Sequence, residues 1–579
     1  MAVMTLLIAG IRRKKGTFIC VVLLTAIVVS MIASMNSVKD NYYKGMDNAL
    51  TKLEAGEVQC FIRSESLTDE IRQKLEGSKL VSDVKYISAI SAGKATVGEE
   101  TTNNSHFLMR MREGISLFND ELNGLTEDTP VLTSGEIYLP YGLRQVLSCK
   151  VGDKITYSVI DKKYTFVVKG FVQEPTQGAT NIGWKQVFIS DEDFDKIYRE
   201  TKPLETQDAF IDVTCVIIHQ AEDSELSIAK FQRQLNLETK IVTTAFGTLN
   251  KYQSVHYTTL MTDVVMGIVQ AFVICLFVVM LVVMGHSIGT EIEIDYVDLG
   301  VLKAQGFVRE QIRLVMGLQY LLAESVGAIL GVIFSVPLER AISALCIEIT
   351  AIMPTSGFSV GKALMCVLIL LAVSGLLIIV KTGKIAAISP VRAISGGRDV
   401  IYWSSRIRFP IAKKLLAASV AVRQFTSEKK RYIATLFIIA ILTFCMITVN
   451  LTGNLLSSRE AMEAMGLISV NVELGHKDGI VEGRFDEAEA IIEEYSDIIR
   501  KCDTYRCYAS VNGENYMCES YSDPSVMTRT LKGREIRYDN EILITQIVAD
   551  ALEVGIGDEV TVAYGEDEAK FIVAGLYQS

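Results

Sequence analysis

The sequence predicts an α-helical transmembrane protein that carries two α/β domains outside the bilayer and is built by internal duplication. Three observations carry this expectation. Apolar residues make up 49% of 579, with a positive mean hydropathy; five apolar runs reach spanning length; and the segment 136–173 recurs at 541–578.

Residues 1–16 form the first element, a short amphipathic helix ending in Arg12, Arg13, Lys14 and Lys15 and suited to lying flat in the inner interface. The apolar runs are Thr17–Met35, Val264–Met284, Leu314–Val336, Ala363–Val380 and Tyr432–Val449, none containing Lys or Arg. Each has about 18–23 residues, enough at roughly 1.5 Å per residue to cross a hydrocarbon core of roughly 30 Å. A buried helix of a soluble domain seldom stays apolar on every face for that length. With their flanks the spans occupy 17–36, 261–286, 314–336, 363–381 and 432–452. The first follows a basic cluster as a secretory signal does, but it is longer than an ordinary signal core and has a counterpart deep in the chain, so it reads as a retained anchor.

Orientation follows from Lys and Arg, which concentrate on cytoplasmic flanks. From Lys381 to Arg431 there are twelve basic residues against Asp399 and Glu428. This places the N-terminal cluster and the linker 382–431, with its second amphipathic helix, inside the cell. The first α/β domain (37–260), a loop at 337–362 and the second domain (453–579) then lie outside, and the link 287–313 inside. The expected location is the plasma membrane, crossed several times.

The duplication is visible residue by residue. "EIYLPYGLRQVLSCKVGDKITYSVIDKKYTFVVKGFVQ" aligns without a gap on "EILITQIVADALEVGIGDEVTVAYGEDEAKFIVAGLYQ", so Glu136, Leu147, Gly152, Asp153, Phe166, Gly170 and Gln173 recur as Glu541, Leu552, Gly557, Asp558, Phe571, Gly575 and Gln578. The pattern is a helix end, a Gly-Asp turn and two alternating strands. Each domain also opens as strand, helix, strand: "GEVQCFIRS", "LTDEIRQKLEGS", "VSDVKYISAI" in the first, and "LISVNVELG", "FDEAEAIIEEYSDIIRK", "DTYRCYASV" in the second.

Other chemistry is sparse. A net charge of −11 without a basic, aromatic-interleaved patch argues against a nucleic-acid partner. Four of the eleven cysteines lie in spans, and the rest are too irregular for a disulfide framework. Cys502, Cys507 and Cys518 lack the spacing and the fourth ligand of a zinc site. No G-x-x-x-x-G-K-[ST] occurs, since "GFSVGKAL" (357–364) has the wrong glycine spacing and Ala363 in place of the hydroxyl. No cofactor, metal or catalytic site is expected. Gln319 and Glu324 lie inside the third span, and Gly327 and Gly331 in "GAILG" offer a face for close helix packing.

The most informative segment is the link "EIEIDYVDLGVLKAQGFVREQI" (291–312). Leu299, Val301 and Leu302 give a short helix an apolar surface, Gly306 is a natural stop, and Val308–Ile312 starts the next helix. Its residues Asp298, Leu299, Gly300, Leu302, Lys303, Gly306 and Gln311, with "ISPVRAIS" (388–395) after the fourth span, resemble the FtsX/MacB-type permease subunits of ABC systems, with Asp298 standing where Glu is usual. The resemblance spans nearly the whole chain. It implies a MacB periplasmic core-like fold for the external domains and a coupling helix at the link that docks on a separate cytoplasmic ABC ATPase. It also implies a homodimer or a pair with a second permease, and export or extraction of lipid-associated or peptide substrates, with an extracytoplasmic protein as a further partner. A membrane regulator of a cell-wall hydrolase or histidine kinase that moves no substrate is the alternative. The second copy lacks the trio of spans that follows the first, so a longer parent protein is expected.

Overall fold

In a computed structural model the described residues are 2–102, 105–126, 130–205, 210–395, 416–427, 429–456, 474, 484–523, 530–564 and 567–577. They fall into two compact units. One comprises Met1–Lys44, Thr262–Cys346 and Pro354–Leu451; the other comprises Gly45–Met261, Ile347–Met353 and Thr452–Ser579.

The first unit is helical. Among the described residues four helices are long and apolar enough to cross a membrane, and mark the chain as a membrane protein. The first three are Lys15–Lys52, Lys251–Ile294 and Arg309–Thr350, of 38, 44 and 42 residues. The fourth helix is Val360–Thr382, and Ala2–Arg13 precedes the first. The fifth run lies in the helix Lys429–Leu456, whose apolar described part is the shorter Ile439–Leu451.

At about 1.5 Å per residue the first three helices outrun the hydrocarbon core about twofold. The third does not stop at 336 as the sequence suggests: it passes through Pro337 to Thr350, so most of the expected loop 337–362 is helix. Proline removes one backbone hydrogen bond, a loss this long helix absorbs. The extensions are tied by polar contacts. Tyr43 donates to Asp263 at 2.6 Å, Asn41 to Glu339 at 3.1 Å and to the Gly357 carbonyl at 2.5 Å, and Ser359 donates to Asp40 at 2.9 Å.

In the second unit, the strands Val58–Arg63, Val81–Ala92, Asp212–Gln220 and Gly247–Asn250 hold the helices Asp69–Gly77 and Ile228–Thr239 over one face. The spatial order is 247–250, 58–63, 212–220, 81–92. The opening strand-helix-strand is therefore split, because the strand 212–220 pairs antiparallel with both 58–63 and 81–92 and lies between them. Two such split units make a ferredoxin-like βαββαβ sheet. Its core includes Cys60, Ile62, Leu75, Val216, Phe231 and Leu235. Thr68 caps the first helix by accepting from the Ile71 amide, with Asp69 and Glu70 in the first turn.

Everything between 92 and 212 is an insertion that extends the same sheet through 105–110, 184–189, 136–140, 162–173, 154–159, 95–97 and 100–102. The first copy of the recurring segment lies here, and the second, in a separate sheet, repeats its strand pairing in the same register. Glu136–Pro140 runs parallel to Lys162–Gln173 with a bulge between Ile137 and Tyr138; Glu541–Thr545 runs parallel to Asp567–Tyr577 with a bulge between Ile542 and Leu543. Gly152 and Gly557 sit at φ +93° and +95°, and each donates its amide at 2.8 Å, to Val168 and Val573 respectively. Those angles suit glycine alone at low cost. The opening strand "LISVNVELG" of the second domain lies, but for Leu474, outside the described residues, whereas its helix Arg484–Tyr495 and strand Thr504–Val511 are present.

The repeat keeps a hydrogen-bonded carboxylate, half-buried at Glu136 and buried at Glu541, with different partners. Hydrogen bonds from Lys169 at 2.7 Å and the Thr133 amide at 2.8 Å hold Glu136 at about 2; Arg534 and the Arg537 and Tyr538 amides hold Glu541 at about 2. Both lie below the ordinary glutamate value, so their contribution to stability is complete above pH about 4.3 and fades as the pH falls toward 2. Acid unfolding of the detergent-solubilised chain is expected to begin in that window, and to be less steep in Glu136→Gln. An unchanged acid profile in that variant would remove Glu136 from the account.

Candidate docking site at the link between the second and third long helices

The link is a built structure. The second long helix ends at Ile294 and a short helix, Tyr296–Ala304, follows. Gly306, at φ +94°, ends it: its amide bonds to the Lys303 carbonyl at 3.2 Å and the Phe307 amide to the Leu302 carbonyl at 3.1 Å. This is a Schellman end, with Leu302 and Phe307 packed on the same core. Gln311 then reaches back to accept from the Val308 amide at 3.2 Å, half of a capping box for the third long helix.

One face of the link helix is buried within the helical unit. Leu299 joins a core of Phe18, Ile288, Ile312, Met316, Tyr320 and Ile385. Gly300 lies against Ala393 of the short helix Pro390–Ser395, where a side chain would overlap the Ala393 methyl. Lys303 inserts its ammonium among the carbonyls of Ile385 at 2.8 Å, Ile388 at 2.9 Å and Ala386 at 3.4 Å, closing the turn Gly383–Ala387 with positive charge. Burial, with Arg309 nearby, lowers the pKa of Lys303.

The carboxylates that crowd the start of the link are matched by the N-terminal helix. Arg13 pairs with Asp295 and, at 3.3 Å, with Asp298; Lys14 pairs with Asp295 at 2.6 Å and Glu291 at 2.9 Å. Tyr320 donates to Glu291 at 2.8 Å. Lys14, Glu291 and Asp295 are largely buried, so salt screens these pairs less than surface ones.

The outward face remains. Val297 and Val301, four residues apart on the link helix, are 47% and 37% exposed, and Val308, just before the third long helix, is 53% exposed, with Asp298 and Arg309 beside them in sequence. Of the motif residues, Leu299, Gly300, Leu302 and Lys303 therefore face the bundle, Gly306 and Gln311 shape its ends, and Asp298 is at the surface. Gly327 and Gly331 lie elsewhere, on the third long helix where it packs against the first: a Cβ at Gly327 would come within 2.6 Å of the Val22 carbonyl, and one at Gly331 within 2.7 Å of Val29.

No family model matches the chain, and no curated protein matches it.

A second set of contacts escaped sequence reasoning. In the α/β unit the residues 347–353, which end the third long helix and begin the following loop, are gripped by the first domain. Glu348 accepts from Tyr141 at 2.9 Å, Arg144 at 3.0 Å and Gln145 at 2.6 Å. Thr180 donates its amide and hydroxyl to the Ile349 carbonyl, and the Met353 amide donates to Gln173 at 2.7 Å. Ile347 and Ala351 enter the domain core beside Tyr141 and Leu143. The loop bearing Thr180 is shaped by buried Lys185, which donates to the carbonyls of Gln177, Ala179 and Ile182; burial pulls its pKa down to about 7.

Proposed function

We propose that the chain is the membrane subunit of an ABC system of the FtsX/MacB mechanotransmission type, without nucleotide hydrolysis of its own. Its link helix docks in a groove of a cytoplasmic ATPase, and the bundle carries the ATPase's movement to α/β domains on the extracytoplasmic side. The supporting observation is the two-sided link helix: one face locked to the bundle by Leu299, Gly300 and Lys303, the other presenting Val297 and Val301.

A helix fixed on one side and apolar on the other passes a push from a partner into the helices that hold it. The grip on residues 347–353 supports the same reading at the far end of the third helix. Movement of that helix pulls on a segment whose side chains belong to the core of the first domain. On this reading the substrate is a lipid-associated molecule or peptide handled at the outer face.

The test is co-purification from a native membrane extract with identification of bound proteins. We expect an ATPase to co-purify with the wild-type chain. Val301→Glu places a charge in the docking face, where loss of a buried valine is worth about 1.5–3 kcal/mol, and is expected to reduce recovery by about tenfold or more while the chain stays folded. Equal recovery with Val301→Glu would place docking elsewhere; recovery of a cell-wall hydrolase or histidine kinase without any ATPase would favour a regulator.

A further inference from the structure

The strands Thr504–Val511 and Glu514–Tyr521 form a hairpin closed by Asn512 and Gly513, both at positive φ (49° and 86°). Two positive angles define a two-residue type I′ turn. Val511 pairs with Glu514, and further along the ladder Cys507 lies directly opposite Cys518. Antiparallel rungs alternate between hydrogen-bonded and non-bonded pairs, and the rung next to such a turn is bonded, so 509/516 and 507/518 are bonded as well. The other edge of the strand agrees: the Asn512 amide bonds outward to the Thr561 carbonyl at 2.8 Å, which leaves the amides of 511, 509 and 507 facing the hairpin partner.

A bonded rung holds its Cα atoms about 5.5 Å apart, within the roughly 4.4–6.8 Å that a disulfide bridges, with both side chains on one face. Cys507 and Cys518 are thiols here, and both are half-buried. Cys502 stands apart, its thiol directed at the carbonyl of Asp503 at 3.6 Å.

We propose that Cys507 and Cys518 are a reversible cross-strand thiol–disulfide pair, closed by oxidised thiol–disulfide partners and opened by reduced ones. One thiolate attacks a sulfur of the oxidant disulfide and expels its first thiol, forming a mixed disulfide. The second thiolate then attacks the protein sulfur of that intermediate and expels the second thiol. The two protein thiols lose two electrons and two protons, and the oxidant leaves as two thiols. A bonded rung sets Cβ atoms about 5 Å apart where a relaxed disulfide needs about 3.8 Å, so closure draws the strands together and the bond is labile rather than a permanent staple.

The consequence falls on the hairpin tip. The Gly513 carbonyl accepts from Asn236 and from Thr243 at 3.0 Å, and Glu514 faces Arg233 at 3.7 Å, so the tip ties the second α/β copy to the first. Drawing in the rung at 507/518 changes the strand geometry that presents this tip. The pair's chemistry stands on the hairpin alone; its access to an oxidising compartment rests on the proposed extracytoplasmic placement.

The test uses the full chain in detergent at pH 8, equilibrated with a series of oxidised-to-reduced glutathione ratios, then acid-quenched, alkylated and digested without reductant. We expect a linked peptide joining 507 to 518 that rises with the ratio and disappears in excess reduced glutathione, and in Cys518→Ser a glutathione adduct trapped on Cys507. Alkylation of both residues at every ratio, or links to Cys502 instead, would overturn the pair. In intact cells a membrane-impermeant maleimide is expected to reach Cys507 after reduction. Its failure there, with the link formed in vitro, would count against the placement and leave the pair standing.

Discussion

Gly327→Leu is expected to eliminate most of the folded chain recovered from membranes. A Cβ at this position meets the Val22 carbonyl at 2.6 Å, Thr25 Cβ at 2.8 Å and Val22 Cα at 3.2 Å, all belonging to the first long helix. Backbone cannot rotate aside as a side chain does, so the two helices must separate. Separation opens the core in which Val28, Val29, Met280, Ala328 and Leu370 are buried. Overpacking a core commonly costs 1–3 kcal/mol, and a clash against backbone lies at or above the top of that range. In a bilayer helix association depends on close packing rather than on expulsion of water, so little compensates. The measurement is the monodisperse fraction after detergent extraction, with its melting temperature. We expect a drop of about tenfold or more for Gly327→Leu and a similar one for Gly331→Leu, which meets Val29 and the Ala26 carbonyl at 2.7 and 2.8 Å. Ile329→Ala, at a side chain 62% exposed on the other face, is expected to change little. Wild-type recovery of Gly327→Leu would mean that the two helices do not pack through this face.

What the sequence made legible was whatever local chemistry decides. All-round apolar runs located the four long helices, because only a bilayer or a deep core tolerates such surfaces. Gly306 and the paired Gly152 and Gly557 were readable as stops and turns because positive φ restricts the residue type. Contacts fixed by distant chain were not readable. The strand 212–220 enters between two strands that are close neighbours in sequence, and no local pattern near 58–92 announces it. The third helix continues past Pro337 because its far end is held by Tyr141, Arg144 and Thr180, far away in the sequence. The repeat itself held a usable signal. Its shared residues are those of the turn and strands, whereas Tyr141, Arg144 and Gln145 are replaced in the second copy by Gln546, Ala549 and Asp550. A position that differs between otherwise matched copies marks what one copy does and the other does not.

Gly300 is in the motif, but its reason is Ala393, whose methyl occupies the space a side chain at 300 would need; the next nearest atoms, Ala393 Cα and the Pro390 carbonyl, are 3.6 and 3.9 Å away. Only one methyl stands in the way, which makes the contact testable by exchange. Gly300→Ala alone is expected to push the link helix off the Pro390–Ser395 helix, at a cost of about 1–3 kcal/mol. That shift also withdraws Lys303 from the carbonyls of Ile385 and Ile388 and misplaces the outward valines. Ala393→Gly alone leaves a small void and costs about 1 kcal/mol. The double exchange Gly300→Ala with Ala393→Gly moves the methyl from one helix to the other and is expected to restore most of the loss. Melting of the purified chain measures the cycle, and residues in direct contact give coupling of about 0.5–3 kcal/mol. Val301→Glu provides the contrast, because it is expected to spare the melting temperature while reducing partner recovery about tenfold or more. Additive losses in the double exchange would show that the two helices do not meet at this pair, and the link would then lack the rigid backing that a transmitting helix requires.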